Sequence, residues 1–141
     1  MLLWKRTRET ELPAKILISI VDDDESFRES LASLMRSLGF TVEAFSSGSD
    51  FLASAHFRHT RCLIADINMP RMTGVELHDH LVKAGYAIPT ILITAYPDDS
   101  IRTRALADGV ICYLSKPFAE AALLRCVRAA LKRVKPDEHQ S

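Results

Sequence analysis

The sequence predicts an α/β fold: a doubly wound, parallel sheet of five strands covered by five helices. Three observations carry that prediction. Five stretches of strand length alternate with five stretches of helical spacing, the pattern of repeated βα units. The first, third, fourth and fifth strand stretches are near-continuous apolar runs, as expected of strands buried on both faces beneath helices. At 141 residues, with 48% hydrophobic and 26% charged side chains, the chain has the length and make-up of one globular domain.

Residues 1–14 are mostly polar, lack periodicity and carry Pro13, and are expected to form a flexible arm. The folded part is expected over 15–135, with 136–141 as a polar tail. "KILISIV" (15–21) is the first strand. "ESFRESLASLMRSLG" carries Phe27, Leu31, Leu34, Met35 and Leu38 at helical spacing and closes on Gly39, a C-terminal cap. "FTVEAF" (40–45) alternates like a half-buried strand. "SSGSDFLASA" opens with Ser47 and Asp50 at capping distance and continues as a short helix.

"CLIAD" is the third strand and ends on a carboxylate, Asp66. "TGVELHDHLVKAG" is a helix, with Thr73 and Glu76 spaced as a capping box and Gly85 at its end. "PTILIT" (89–94) is the fourth strand, "DSIRTRALADG" a helix ending at Gly109, and "VICYL" (110–114) the fifth strand. "FAEAALLRCVRAALKRV" (118–134) is the last helix, with Leu124, Val127, Leu131 and Val134 along one face.

Several function classes recede. The 18 basic and 18 acidic residues cancel, so no global charge favours nucleic acid. The run Arg125, Arg128, Lys132, Arg133 and Lys135 reads as the solvated face of a helix near its C-terminal end. Cys62, Cys112 and Cys126 are far apart in apolar stretches without a C-x-x-C pair, and are expected to be reduced core cysteines. His56, His59, His78 and His80 read as surface histidines. "MLLWKRTRET" is too short and wrongly ordered for a signal peptide, and no apolar run approaches a membrane span's ~20 residues. The expected location is cytoplasmic. No G-x-G-x-x-G or G-x-x-x-x-G-K-[ST] loop supports a nucleotide-binding enzyme.

Ligands of doubly wound sheets bind beyond the carboxyl ends of the strands. The first strand runs into "VDDDE", with Asp22, Asp23, Asp24 and Glu25. The third ends at Asp66, the fourth at Thr94, and the fifth is followed by Lys116 and Pro117. Clustered carboxylates repel and take up protons unless compensated. A hard divalent cation such as magnesium compensates them, and Lys116 adds a point charge suited to a phosphoryl oxygen. Pro117 biases Lys116 toward extended backbone and is compatible with a cis peptide. These parts suit phosphoryl transfer to a carboxylate, a reaction dominated by positioning and charge neutralisation. An aspartate-nucleophile phosphatase would commonly carry a second acid two residues after the nucleophile, where this chain has Asn68, and the chain leaves no room for a cap domain.

"VDDDE", "ADINMPRMTG", "TA" and "KPF", in this order and spacing, resemble the receiver domain of two-component response regulators, with wording nearest the FixJ-type receivers. The resemblance covers about residues 15–135. It implies a CheY-like, flavodoxin-like sheet in the order 2-1-3-4-5. It implies that Asp66 takes a phosphoryl group from a sensor histidine kinase or phosphotransfer protein. It implies magnesium held by Asp23, Asp66 and the Asn68 backbone carbonyl, with Asp22 acting mostly through water. Lys116 and Thr94 would contact the phosphoryl group. Thr94 and Tyr113 would switch a surface on the fourth helix, fifth strand and fifth helix that serves a homodimer or effector protein. Asn68 and Tyr96 occupy the positions that tune phosphoryl lifetime. Such a chain acts chemically only on itself, without a turnover substrate, and binds neither nucleic acid nor membrane directly. The alternative is the receiver part of a DNA-binding transcriptional regulator. Pro97, following Tyr96, is expected to stiffen the loop beside Thr94.

Overall fold

In the computed structural model, residues 16–133 are described. The arm expected over 1–14 and the tail over 136–141 lie outside the described residues, as does Val134. In chain order the elements are β1 (Leu17–Val21), α1 (Glu25–Ser37), β2 (Thr41–Phe45), α2 (Gly48–Ala53), a single 3₁₀ turn (Phe57–His59), β3 (Cys62–Asp66), α3 (Gly74–Lys83), β4 (Thr90–Thr94), α4 (Asp99–Ala107), β5 (Cys112–Ser115) and α5 (Glu120–Lys132). The sheet runs β2-β1-β3-β4-β5, and every neighbouring pair is parallel. This is the doubly wound order that the resemblance implied.

Strand alternation sorts the core into two layers. Ile18 and Ile20 of β1, Cys62 and Ile64 of β3, and Ile91 and Ile93 of β4 face α1 and α5, meeting Leu31, Met35, Leu123 and Val127. Val21, Leu63, Ala65 and Leu92 face the other way, toward Phe51, Leu77, Leu81 and Ala105 of α2, α3 and α4. Both faces of the three central strands are therefore covered, which is why they read as near-continuous apolar runs.

The helix starts are set by side-chain caps. Asp24 accepts from the Phe27 amide at 3.2 Å, and Ser47 from the Asp50 amide at 3.1 Å. Thr73 and Glu76 form the complete capping box, their reciprocal bonds measuring 3.1 and 3.0 Å. Gly39 ends α1 at φ +96°, a conformation open to glycine and strained for other side chains. Gly74 has a different reason: a Cβ there would lie 2.5 Å from the Asp66 carbonyl oxygen. Only glycine lets the start of α3 come so close to the end of β3.

Three expectations are corrected. The fifth strand starts at Cys112 rather than Val110, and its first three residues are only half-buried, because β5 is a sheet edge with one neighbour. His78 is a buried residue, 7% exposed, because α3 turns that side toward α4. Burial holds its imidazole below the usual histidine range; Asp108 pulls it up and Arg133 down. Cys112 and Cys126 are joined as a disulfide with Cα atoms 6.0 Å apart, since the inward face of β5 lies against α5. Cys62 alone remains a free core cysteine, its thiol pushed up to about 12 by burial.

Candidate functional site

The first, third and fifth strands carry their chemistry to one end of the sheet. Asp22 follows β1, Asp66 is the last residue of β3, and Lys116 follows β5 by one residue. The Lys116 amide donates to the Thr94 carbonyl at 2.8 Å, which carries the chain past the sheet edge beside β4. The Lys116–Pro117 peptide is cis. Asp66 continues the alternation of Cys62 and Ile64, and Lys116 that of Cys112 and Leu114, so both side chains fall on the α1/α5 side.

Ligand oxygens of Asp22, Asp23 and Asp66 lie within 4.8 Å of one another. Asp22 and Asp66 are buried, whereas Asp23 is exposed. Asp22 is well partnered. Its Oδ1 accepts from the Asp24 amide at 2.9 Å, its Oδ2 lies 3.3 Å from Lys116 Nζ, and its backbone carbonyl accepts from Arg28 Nη1 at 2.7 Å. Asp66 is not. Its Oδ1 is buried without a hydrogen-bond partner, and Lys116 Nζ stands 3.7 Å away, an ion-pair distance too long for a hydrogen bond. Burial is the main cause that pushes the Asp66 carboxyl up, from an ordinary 3.8 to about 6. Asp22 adds to the rise, Lys116 opposes it, and Asp23 adds a smaller push.

Lys116 is held from a second side. Its Nζ sits 4.0 Å from the centre of the Phe27 ring, which packs edge-on against Phe118. A cation over an aromatic face is attracted by the ring quadrupole. Sequence reading placed Phe27 only in the α1 core stripe and overlooked Arg28. Both follow from one detail available in the sequence: they open the helix directly after "VDDDE", so its first turn overhangs the acids.

Thr94 is 1% exposed. Its hydroxyl donates to Asn68 Oδ1 at 2.7 Å and accepts from the Tyr96 amide at 2.9 Å. Asn68 is exposed and Tyr96 is 73% exposed, so both stand at the open rim. Tyr113 is half-buried on the opposite face of β5, and its hydroxyl accepts from the Asp98 amide at 3.0 Å. Asp98 in turn caps α4 through the Ile101 amide at 3.0 Å. The structure thus groups Asp22, Asp23, Asp66 and Lys116 directly and ties Thr94 to Asn68. Tyr113 is placed apart, at the start of α4. Among the other histidines, His56 pairs with Glu43 at 3.0 Å, away from this cluster.

An acidic trio, a lysine and a hydroxyl at the strand ends of a 2-1-3-4-5 sheet agree with the family comparison. The model of the response regulator receiver domain matches residues 18–128. The chain belongs to the response regulator receiver family. It is 41% identical to the response regulator protein TodT of Pseudomonas putida, over 82% of this chain and 51% of TodT. The receiver thus spans about half the length of the curated relatives it matches. Among solved structures, the response regulator StyR superposes with a TM-score of 0.76 at 42% identity, covering 84% of this chain and 60% of StyR. The crystal structure of FixJ-N superposes at 0.75 with 32% identity, covering 85% of this chain and 96% of that one. The expected FixJ-type likeness is therefore found. The chain is a receiver domain of two-component signal transduction, a signalling domain. No helix among the described residues is long and apolar enough to cross a membrane.

Proposed function

We propose that this receiver accepts a phosphoryl group on Asp66 from a histidine kinase or phosphotransfer protein, with magnesium bound beside it. The observation that carries the reading is the buried Asp66 Oδ1, which has no hydrogen-bond partner although two acids and a lysine surround it. A buried carboxylate oxygen left unpaired costs stability, and here it leaves the Asp66 carboxylate without the hydrogen bonds that would tie it down. The donor set fits a hard cation, because three carboxylates with no compensating hydrogen bonds on Asp66 call for positive charge. Asp23, Asp66 and the Asn68 backbone carbonyl would hold magnesium directly, and Asp22 chiefly through water. When bound, magnesium supplies charge neutralisation for the carboxylates and for the transferring phosphoryl group.

The chain's own residues do the rest. An oxygen of the Asp66 carboxylate attacks the phosphorus, and the donor's nitrogen leaves as the P–N bond breaks. Lys116, steered by Phe27 and Asp22, meets the phosphoryl charge. Thr94 releases Asn68 Oδ1 and donates to a phosphoryl oxygen instead. The aspartyl phosphate adds up to ~2 negative charges and three acceptors. Movement of Thr94 draws on the loop through the Tyr96 amide and loosens Tyr113 from Asp98, which shifts the surface of α4, β5 and α5. That surface serves a second copy or an effector protein. Asn68 and Tyr96, at the open rim, set how readily water reaches the phosphoryl group and hence its lifetime. The protein works chemically on itself alone.

A second reading of the output is favoured by the half-length matches, one of them to the transcriptional regulatory protein FixJ of Azorhizobium caulinodans: these residues act as the receiver part of a DNA-binding regulator. The stop codon of the coding sequence separates the two. The chemical reading is tested by incubation with acetyl phosphate and magnesium, followed by intact-mass analysis. Wild type gains one phosphoryl group and Asp66→Asn gains none; equal labelling of both contradicts the assignment.

A further inference from the structure

The three cysteines stand in two different environments. Cys62 lies on the central strand β3, wholly buried between β1 and β4. No partner or solvent reaches it, and its raised thiol holds no thiolate. Cys112 is half-buried at the start of the edge strand β5, where no further strand shields it. Cys126 projects from α5 onto the same strand face, 7% exposed, and the two Cα atoms are 6.0 Å apart, within the range a disulfide spans. The bridge joins residues 14 apart in sequence. Tyr113 and Lys116 both lie inside that closed loop, so the bond encircles the segment that reaches Asp22 and Asp98.

We propose that Cys112 and Cys126 form a reversible, redox-responsive disulfide that staples the edge strand β5 to α5 and braces the loop bearing Tyr113 and Lys116. Its oxidant is a low-molecular-weight disulfide of the glutathione class. The half-buried Cys112, the more accessible of the pair, attacks as its thiolate on one sulfur of that disulfide and releases one thiol. The Cys126 thiolate then attacks the Cys112 sulfur and releases the second. Two protein thiols are oxidised to one disulfide, and one small disulfide is reduced to two thiols. Reduction runs back through the same mixed disulfide at Cys112. The chemistry is independent of phosphoryl transfer.

The test treats the full chain with reduced or oxidised glutathione, quenches, denatures and alkylates. Reduced protein takes three alkyl groups. Oxidised protein takes one, which peptide mapping places on Cys62. Amide hydrogen exchange across residues 113–125 slows several-fold in the oxidised form, and its thermal midpoint rises by on the order of 5 °C. Cys112→Ser, a half-buried and mild change, shows neither response to oxidised glutathione. The idea is overturned by three alkylated cysteines after oxidation, or by a glutathione adduct on Cys112 that never closes. It is equally overturned if exchange and midpoint are the same in both forms although the bond has closed.

Discussion

Asp22 and Asp66 end neighbouring strands and are similarly buried, at 2% and 6% exposure, yet they stand in opposite situations. The β1 end is a finished structure, with an amide and an ammonium on the two oxygens of Asp22 and a guanidinium on its carbonyl. The β3 end is left open: Asp66 Oδ1 has no hydrogen-bond partner, and burial and neighbouring acids push its carboxyl up to about 6. One acid is fully partnered and the other is left without a hydrogen bond on its buried oxygen. The difference arises from local chain geometry. The chain turns back after Asp22, so the Asp24 amide reaches its oxygen, whereas after Asp66 the Ile67 amide goes to the Ile93 carbonyl at 2.8 Å in the sheet ladder.

The largest expected effect removes what the two ends share. Lys116→Ala takes the ammonium from Asp22 at 3.3 Å and from Asp66 at 3.7 Å. Breaking one side of a largely buried ion pair is expected to cost ~3 kcal/mol near pH 7.5 in urea unfolding. The cost shrinks below pH 5, where Asp66 is protonated and no longer needs the cation. A cost that is the same at both pH values would assign the role of Lys116 to Asp22 and Phe27 and not to Asp66.

Neutralising each acid in turn splits the two ends. Asp66→Asn removes a charge that the fold disfavours. Because the folded carboxyl sits near 6 and its ordinary value is 3.8, the stability it supplies is full below about pH 4 and is lost as pH rises through about 6. The variant lacks this loss and is therefore more stable than wild type by ~2 kcal/mol above pH 7. The gap opens between pH 4 and 6. Asp22→Asn loses its ionic contact with Lys116 and is expected to be less stable by ~1 kcal/mol. Denaturant titrations across pH that give both variants the same sign would dissolve the contrast. The smallest effect belongs to Asn68→Ala. It removes the acceptor of the buried Thr94 hydroxyl, which keeps the Tyr96 amide, and should cost under ~1 kcal/mol, while a changed aspartyl-phosphate half-life, followed by intact mass, reports the position of Asn68 at the rim.

The contrast also marks how far the sequence could be read. The central strands were legible because burial on both faces leaves mostly apolar residues, and the acids were legible because each stands at the end of such a run. The capping box at Thr73 and Glu76 and the glycine ends of α1 and α3 were legible because their chemistry is local. What stayed hidden depends on residues meeting from distant segments. "VICYL" looks as apolar as a central strand; the order 2-1-3-4-5 that the resemblance implied already put it at the sheet edge, but its later start at Cys112 was not legible. Cys112 and Cys126 looked like separate core residues until β5 and α5 packed together. His78 follows the exposed-looking pattern "HDH" and is buried by α4. Phe27 under Lys116 joins residues 89 positions apart in the chain. That Asp66, unlike Asp22, lacks a partner is invisible in a string where both are aspartates after apolar runs.

The most direct measurement is a pH titration of the Asp66 carboxyl carbon by NMR, with and without magnesium. Without the metal the resonance is expected to titrate near 6, well above an ordinary aspartate, and saturating magnesium should move the midpoint down by at least ~1 unit. An Asp66 midpoint near 4 that magnesium leaves unchanged would contradict the account, because the acid at the end of β3 would then be neither strained by its surroundings nor awaiting a cation.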